Sequence, residues 1–287
     1  MLYSIKQKLK ETKTVKKAYD NFRERSVYSA LKQQRLLARF NQIKRLDPDI
    51  SNQYTSSNID TSYLQTKVLG LHAFQMALFG LFINGQNRKE WSITDLGDSS
   101  GNHIMYIKNL FSKFKWDTLS VNLDQKAVDK IRSKGLNAIA CSIEDYYEYE
   151  KDYRNQIITL FQTLEHLENP ISILKGVKEN LKPEAFIITV PFVRRSKVGL
   201  HYLRENLKSD FFNKVPSPEN IHIFELSPDD WELLFEYCGW EVKHSLVYYQ
   251  YKRRIPIISR LLRWYWSAFD FEGFYGCILT KNKGGED

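Results

Sequence analysis

One short run carries the residue types and spacing of a ligand site: Asp95-Leu96-Gly97-Asp98-Ser99-Ser100-Gly101. Glycines let the backbone approach a ligand closely, and a helix starting near Gly101 and Asn102 offers N–H groups without partners. Asp95, two residues before the first glycine, accepts hydrogen bonds or pairs with a cation. It would repel a pyrophosphate. A nicotinamide dinucleotide fingerprint instead begins at glycine and wants an acid about 20 residues later. No Gly-Lys-Ser/Thr phosphate loop occurs anywhere in the 287 residues.

The elements around the turn follow an α/β rhythm. Strands are predicted over 91–96, 118–123, 137–141, 156–161 and 185–190, with helices around 101–114, 124–134 and 168–181. Short apolar strands alternating with helices imply a mostly parallel sheet covered on both faces. Right-handed crossovers then gather the loops at the carboxyl edge of the strands. A helix over 61–84 precedes this unit, with an apolar stripe of Leu64, Val68, Leu71, Phe74, Leu78 and Leu81. Ser227-Pro228-Asp229-Asp230 starts a later helix ending at Gly239. Two late strands, 240–249 and 273–280, are expected to be antiparallel.

The first 46 residues read as helix, and 50–60 as a polar linker. Residues 1–60 are therefore expected to form a basic helical extension and linker, and 61–287 the principal domain. Within that domain, 194–220 reads as an insertion and 250–266 as a basic aromatic segment. Residues 1–50 hold 13 Lys and Arg against 5 Asp and Glu, which accounts for the whole formal charge of +8. Such basic helices suit a solvated face, a protein partner or an anionic membrane surface. No nucleic-acid motif accompanies them, so nucleic acid is not an expected partner.

Cys141, Cys238 and Cys277 lie far apart and form no CxxC pair, and the histidines are scattered. Neither a disulfide framework nor a metal site is expected. No apolar leader is visible at the start, and 69–83 is too short and too polar for a membrane span. A cytoplasmic chain is the expectation, with a peripheral place at the inner membrane surface open to its basic helices.

At this point the order of motifs resembles the class I S-adenosylmethionine-dependent methyltransferases, in particular a small-molecule- and sugar-modifying branch with a Leu-Glu-His signature. The matching pieces are ITDLGDSSGNH (93–103), SVNLDQKAVDKIRSKG (120–135), CSIEDY (141–146) and QIITLFQTLEHLENPISILKGVKENLKP (156–183). FIITVPF (186–192), HIFELSPDDWELLFEYCGWEV (222–242) and the closing FYGCILTKNK follow in order. The resemblance implies a doubly wound, mostly parallel seven-stranded sheet of Rossmann-like type with an N-terminal helical extension. It also implies S-adenosyl-L-methionine as cofactor.

By position, the resemblance makes Asp95 the acid near the methionine amino group, and Gly97, Ser99 and Gly101 the cofactor turn. Asn122 takes the place of the ribose carboxylate. Ser142, Ile143 and Glu144 fall beside the adenine, and Phe161 and Gln162 near the reacting methyl. Ser99 stands where a glycine is usual, so its Cβ is expected to strain a turn of positive φ by about 1 kcal/mol. His166 is the leading candidate base, with Glu165 beside it and Asp98 as a further candidate or pocket wall. Leu-Glu-His also reads as a structural start to the next helix. The implied acceptor is a hydroxyl of a sugar-like, polysaccharide-precursor or lipid-linked small molecule. A catalytically silent binding or scaffold protein on the same fold is the alternative.

Overall fold

The computed structural model describes residues 13–47, 50–55, 58–149, 155–199, 221–252 and 273–281. Most of the 194–220 insertion and of the 250–266 segment lies outside the described residues, as do residues 1–12 of the predicted N-terminal helix.

Helices α1 (Lys13–Gln33), α2 (Leu37–Leu46) and α3 (Ser62–Ile83) come first. The α/β part then runs β1 (Glu90–Leu96), α4 (Asn102–Leu110), β2 (Lys115–Asn122), α5 (Gln125–Ser133), β3 (Ala138–Ala140), α6 (Ile143–Tyr149) and β4 (Ile157–Phe161). A 3-10 turn (Leu164–His166), α7 (Pro170–Gly176) and β5 (Ala185–Phe192) follow. The strands β6 (Lys197–Val198) and β7 (Phe224–Glu225) pair apart from the main sheet. The chain closes with α8 (Pro228–Tyr237), β8 (Trp240–Tyr248) and β9 (Gly273–Lys281).

The main sheet has seven strands in the order β3-β2-β1-β4-β5-β9-β8. β1 to β5 are parallel, and β9 runs antiparallel to both β5 and β8. The strand order reverses direction between β1 and β4, which opens a crevice beyond their carboxyl ends. Caps fix where the helices begin. The Thr61 hydroxyl accepts from the Leu64 N–H at the head of α3, Asp124 caps α5, and Ser227 caps α8 with Pro228 inside.

Alternate residues of each strand feed two cores. Ile93, Ile157, Phe161 and Ile187 pack under α3 and α4. Leu96, Ile158, Leu160 and Ile188 pack under α6, α7 and α8. α3 differs from the single stripe expected of it. Leu64 and Leu81 of that stripe are exposed, whereas Tyr63, Leu69, Ala73, Met76 and Phe79 are buried. The reason is that α3 is a middle layer: α1 and α2 cover its outer side while β5 and β9 receive its inner side. By length and composition this helix could cross a membrane, but 78% of its most apolar window is buried in the fold.

The segment before residue 60 accordingly shares the core. Val27, Leu31, Phe40 and Ile43 are fully buried in it. The linker also departs from its polar reading, since Ile50, Gln53 and Ile59 are buried. The short helix α6 was not anticipated; its burial rests on Ile143 and Tyr146.

Candidate functional site

The turn after β1 sits at the reversal of strand order. Gly97 (φ 84°) and Gly101 (φ 75°) take the left-handed conformation, and Ser99 does not. The expected strain at Ser99 is therefore absent, because the turn places positive φ on its two glycines. A Cβ on Gly97 would collide with Oγ1 of Thr163 and come within 2.9 Å of its Cγ2. Asp98 braces the turn from inside. Its Oδ1 accepts from the N–H groups of Ser100 (3.1 Å) and Gly101 (2.7 Å), and its Oδ2 from the Ser120 hydroxyl (2.9 Å). It is buried and its oxygens are engaged, so the structure places it as a brace rather than as an accessible base.

Asp95 lies at the centre of a second network. Thr159 donates to Oδ1 (2.7 Å), and Nδ1 of His103 lies 3.1 Å from Oδ2. Nε2 of His103 faces Oε1 of Gln75 (3.0 Å), whose Nε2 donates to Thr189 (3.1 Å). Both ring nitrogens thus face oxygen acceptors, which suits an imidazolium. Burial alone would lower the His103 pKa, but the hydrogen bond and charge of Asp95, with the charge of Asp98, leave it raised. Burial also raises the pKa of Asp95. Asp95 is 1% exposed, so it underpins the turn from below. His103, in the first turn of α4, is part of that base.

Gln53 was missed in the sequence and binds the turn from above. Its Nε2 donates to the Ser99 hydroxyl (3.1 Å), which donates to the Gln53 carbonyl (3.1 Å). Its Oε1 accepts from the Ser100 hydroxyl (3.0 Å) and from Nδ2 of Asn102 (2.7 Å). Lys130 adds a bond from Nζ to the Asn52 carbonyl (2.7 Å). Residues 50–55 form a strap over the cofactor turn, beside a cavity of about 480 Å³ lined in part by Asn52, Gln53, Asn102 and Lys130. Gln53→Ala leaves the partners on Ser100 and Asn102 unmatched. It is expected to cost about 1–3 kcal/mol, read by urea denaturation, and to speed proteolysis within 47–60. Unchanged stability and unchanged cleavage would sink the strap assignment.

Asn122 is committed locally: its Nδ2 donates to the Asp98 carbonyl (2.9 Å), and its Oδ1 accepts from the Asp124 N–H (2.7 Å). The next residue, Leu123, is 77% exposed at the end of β2. An apolar side chain offered to solvent at the carboxyl edge of the sheet was a further feature missed. Ser142 accepts from the Asp145 N–H (2.9 Å) and so starts α6, while Ile143 is buried and Glu144 is exposed. Phe161 is buried edge-on against His103, with centroids 4.9 Å apart. Gln162, at φ 54°, donates from Nε2 to the Thr189 hydroxyl (3.3 Å).

Beyond β4 the 3-10 turn brings Glu165 and His166 to His222, a residue without a role in the sequence reading. Nε2 of His166 lies 3.7 Å from Oε1 of Glu165. The His166 and His222 rings meet edge-on at 4.9 Å. Burial raises the Glu165 pKa. For His222, burial pulls the pKa down, but the hydrogen bond to Glu225 and the nearby carboxylates leave it raised.

A family profile described as a methyltransferase domain matches residues 60–245. A curated relative, the mitochondrial ubiquinone biosynthesis O-methyltransferase of Dictyostelium discoideum, is 27% identical over 118 residues. That match takes in 40% of this chain and spans 35% of the relative's length. Among solved structures, a chain from the complex between the Haloferax volcanii Trm112 methyltransferase activator and a methyltransferase superimposes with TM-score 0.52 at 13% identity. It covers 86% of this chain and 97% of that one. Geranyl diphosphate C-methyltransferase from Streptomyces coelicolor A3(2), with Mg2+, geranyl diphosphate and S-adenosyl-L-homocysteine, gives TM-score 0.51 at 9% identity. It covers 85% of this chain and 98% of that one. The sheet order, the glycine turn at its reversal and the match over 60–245 lead to one statement of kinship: this chain belongs to the methyltransferase domain family.

Proposed function

We propose that the chain transfers a methyl group from S-adenosyl-L-methionine to a hydroxyl of a sugar-like, polysaccharide-precursor or lipid-linked small molecule. The residues at the crevice fit the cofactor. The first N–H groups of α4 have no side-chain cap, and left-handed glycines flank the turn that leads into them. A helix start of that kind receives a carboxylate such as the methionine end of the cofactor. Leu123 offers an apolar wall for a flat base, at the strand end where Asn122 fixes the loop.

When bound, S-adenosyl-L-methionine supplies a methyl already activated by its sulfonium sulfur, so the chain has to align the acceptor and exclude water. A hydroxyl attacks at neutral pH once its proton is taken or its oxygen is polarised. The observation that carries the hydroxyl assignment is the Glu165, His166 and His222 face just beyond β4. An amine that arrives unprotonated has less need of such a face. The O-methylating relative agrees with that choice.

The test is a panel of aryl diols, free sugars, nucleotide sugars and lipid-linked sugars, with S-adenosylhomocysteine measured as product. Product is expected only when a hydroxyl acceptor is present. In the best case, His166→Ala lowers kcat by about 10²-fold or more. A panel in which no acceptor exceeds the acceptor-free rate, or calorimetry showing no binding of S-adenosylhomocysteine at millimolar ligand, would refute the proposal.

A further inference from the structure

Glu165 is wholly buried, and among the described residues neither of its carboxylate oxygens has a hydrogen-bond partner; the nearby Nε2 of His166 stays 3.7 Å from Oε1. Buried polar atoms are almost always paired, so two orphaned oxygens on one residue point to a missing positive partner. Each of the two imidazoles beside it has its Nδ1 engaged by an oxygen of the chain. Nδ1 of His166 lies 2.7 Å from the Ile221 carbonyl oxygen and donates its hydrogen there. Nδ1 of His222 lies 3.0 Å from Oε1 of Glu225 and donates likewise. Each ring then keeps its lone pair on Nε2. Metal-binding histidines hold this arrangement, with the other ring N–H given to a carbonyl or a carboxylate.

The backbone holds the three residues together from both sides of His222. Ile221 receives the His166 ring, and the Ile223 N–H donates to the Glu165 carbonyl (2.8 Å). One ligand atom from each of Glu165, His166 and His222 lies within 4.8 Å of the other two. Ligands about 2.1 Å from a tetrahedral ion stand about 3.4 Å apart. An inward movement of about an ångström or a little more would close the set. A second cluster, Asp95, Asp98 and His103, has similar spacing. There every carboxylate oxygen already accepts a hydrogen bond from the chain, so it is a closed network.

We propose that Glu165, His166 and His222 bind one divalent transition-metal cation and leave a coordination position open to the acceptor. One carboxylate with two imidazoles suits zinc, manganese or ferrous iron better than calcium or magnesium, which prefer all-oxygen shells. Binding itself does not depend on the proposed methyl transfer. Its role does: the cation would polarise the acceptor oxygen, so that His166 acts as ligand rather than as proton acceptor. Vicinal or phenolic oxygens that reach the open position would be the preferred acceptors.

Chelator-stripped protein is titrated with Mn2+, and the free-ion electron paramagnetic resonance signal is followed. One Mn2+ per chain is expected to bind. Affinity should fall at least about tenfold in Glu165→Gln and in His222→Gln, as loss of ligand contacts requires. Glu165→Gln removes a buried charge, so it should fold at least as well as the parent without metal, which circular dichroism and a thermal midpoint verify. No Mn2+ binding by the parent chain at millimolar ion, or undiminished binding by folded Glu165→Gln, overturns the site. Stoichiometric binding lost in both variants, with no acceptor yielding product, leaves the metal site standing and removes the transferase reading instead.

Discussion

Asp95→Ala is expected to destabilise the fold by about 3 kcal/mol and to remove measurable binding of S-adenosylhomocysteine. The carboxylate joins β1 to β4 through Thr159 and to α4 through His103. Its loss leaves the buried His103 ring with its hydrogen-bond contact to Gln75 and leaves the Thr159 hydroxyl with the longer contact to the Thr94 carbonyl (3.5 Å). α4 then loses the tie that aims its first turn at the crevice. Urea denaturation and calorimetry check the two halves separately. A variant with parental stability would refute the account of Asp95 as a keystone, whatever its activity.

The same pair gives a pH signature. Asp95 and His103 both have folded-state pKa values raised above their ordinary values of 3.8 and 6.5. Each binds its proton more tightly when folded, so stability falls as pH rises through their folded values. The His103 contribution is complete below about pH 6.5 and is lost above it as the imidazolium deprotonates. The stability that this pair contributes should therefore be larger at pH 5.5 than at pH 8.5, against the opposite contribution of the neighbouring His72, whose pKa burial lowers. Asp95→Asn should reduce this slope, and an unchanged slope would count against the pairing.

Gly97→Ala carries the second large effect. At φ 84° a Cβ costs about 1–2 kcal/mol per residue of left-handed strain, and here it also strikes Thr163. The turn or the loop after β4 must move, and both border the crevice. Cofactor affinity is expected to drop at least about a hundredfold, the equivalent of about 2.7 kcal/mol. Gly135→Ala is the matched control. Gly135 has φ 72° but nothing within 4 Å of a new Cβ. It should carry the strain alone and leave cofactor affinity unchanged. Equal losses in the two variants would mean that strain, not the close approach to Thr163, decides the outcome.

The seven main strands were legible because short apolar runs stand between Gly, Pro and polar stretches, and each was bounded to within about three residues. α6 escaped notice because its sequence, IEDYYEY, has one aliphatic residue and so shows no apolar period. The cofactor turn was legible from Asp95, Gly97 and Gly101. The roles inside it were less so. Asp98 looked available because sequence shows residue types but not which hydrogen bonds they already have. Gln53 lies 46 residues before Ser99, in a stretch whose polarity read as solvent exposure. His222 follows His166 by 56 residues and is held to it by the bonds of Ile221 and Ile223 and by the contact of the two rings. Long-range pairing of single polar residues leaves no periodic trace in a sequence.

The strap has a consequence for evolution by recombination. The family match begins at residue 60, yet Gln53 lies outside it and completes the turn inside it. Val27, Leu31 and Phe40 likewise seal a helix that the match contains. An excised 60–245 segment would carry the family signature but expose one side of α3, leave Ser99 and Ser100 unfastened, and lack β9, which joins β5 to β8. The heritable unit is therefore larger than the recognisable one, and transplanting the catalytic region into another chain requires its flanks to travel with it.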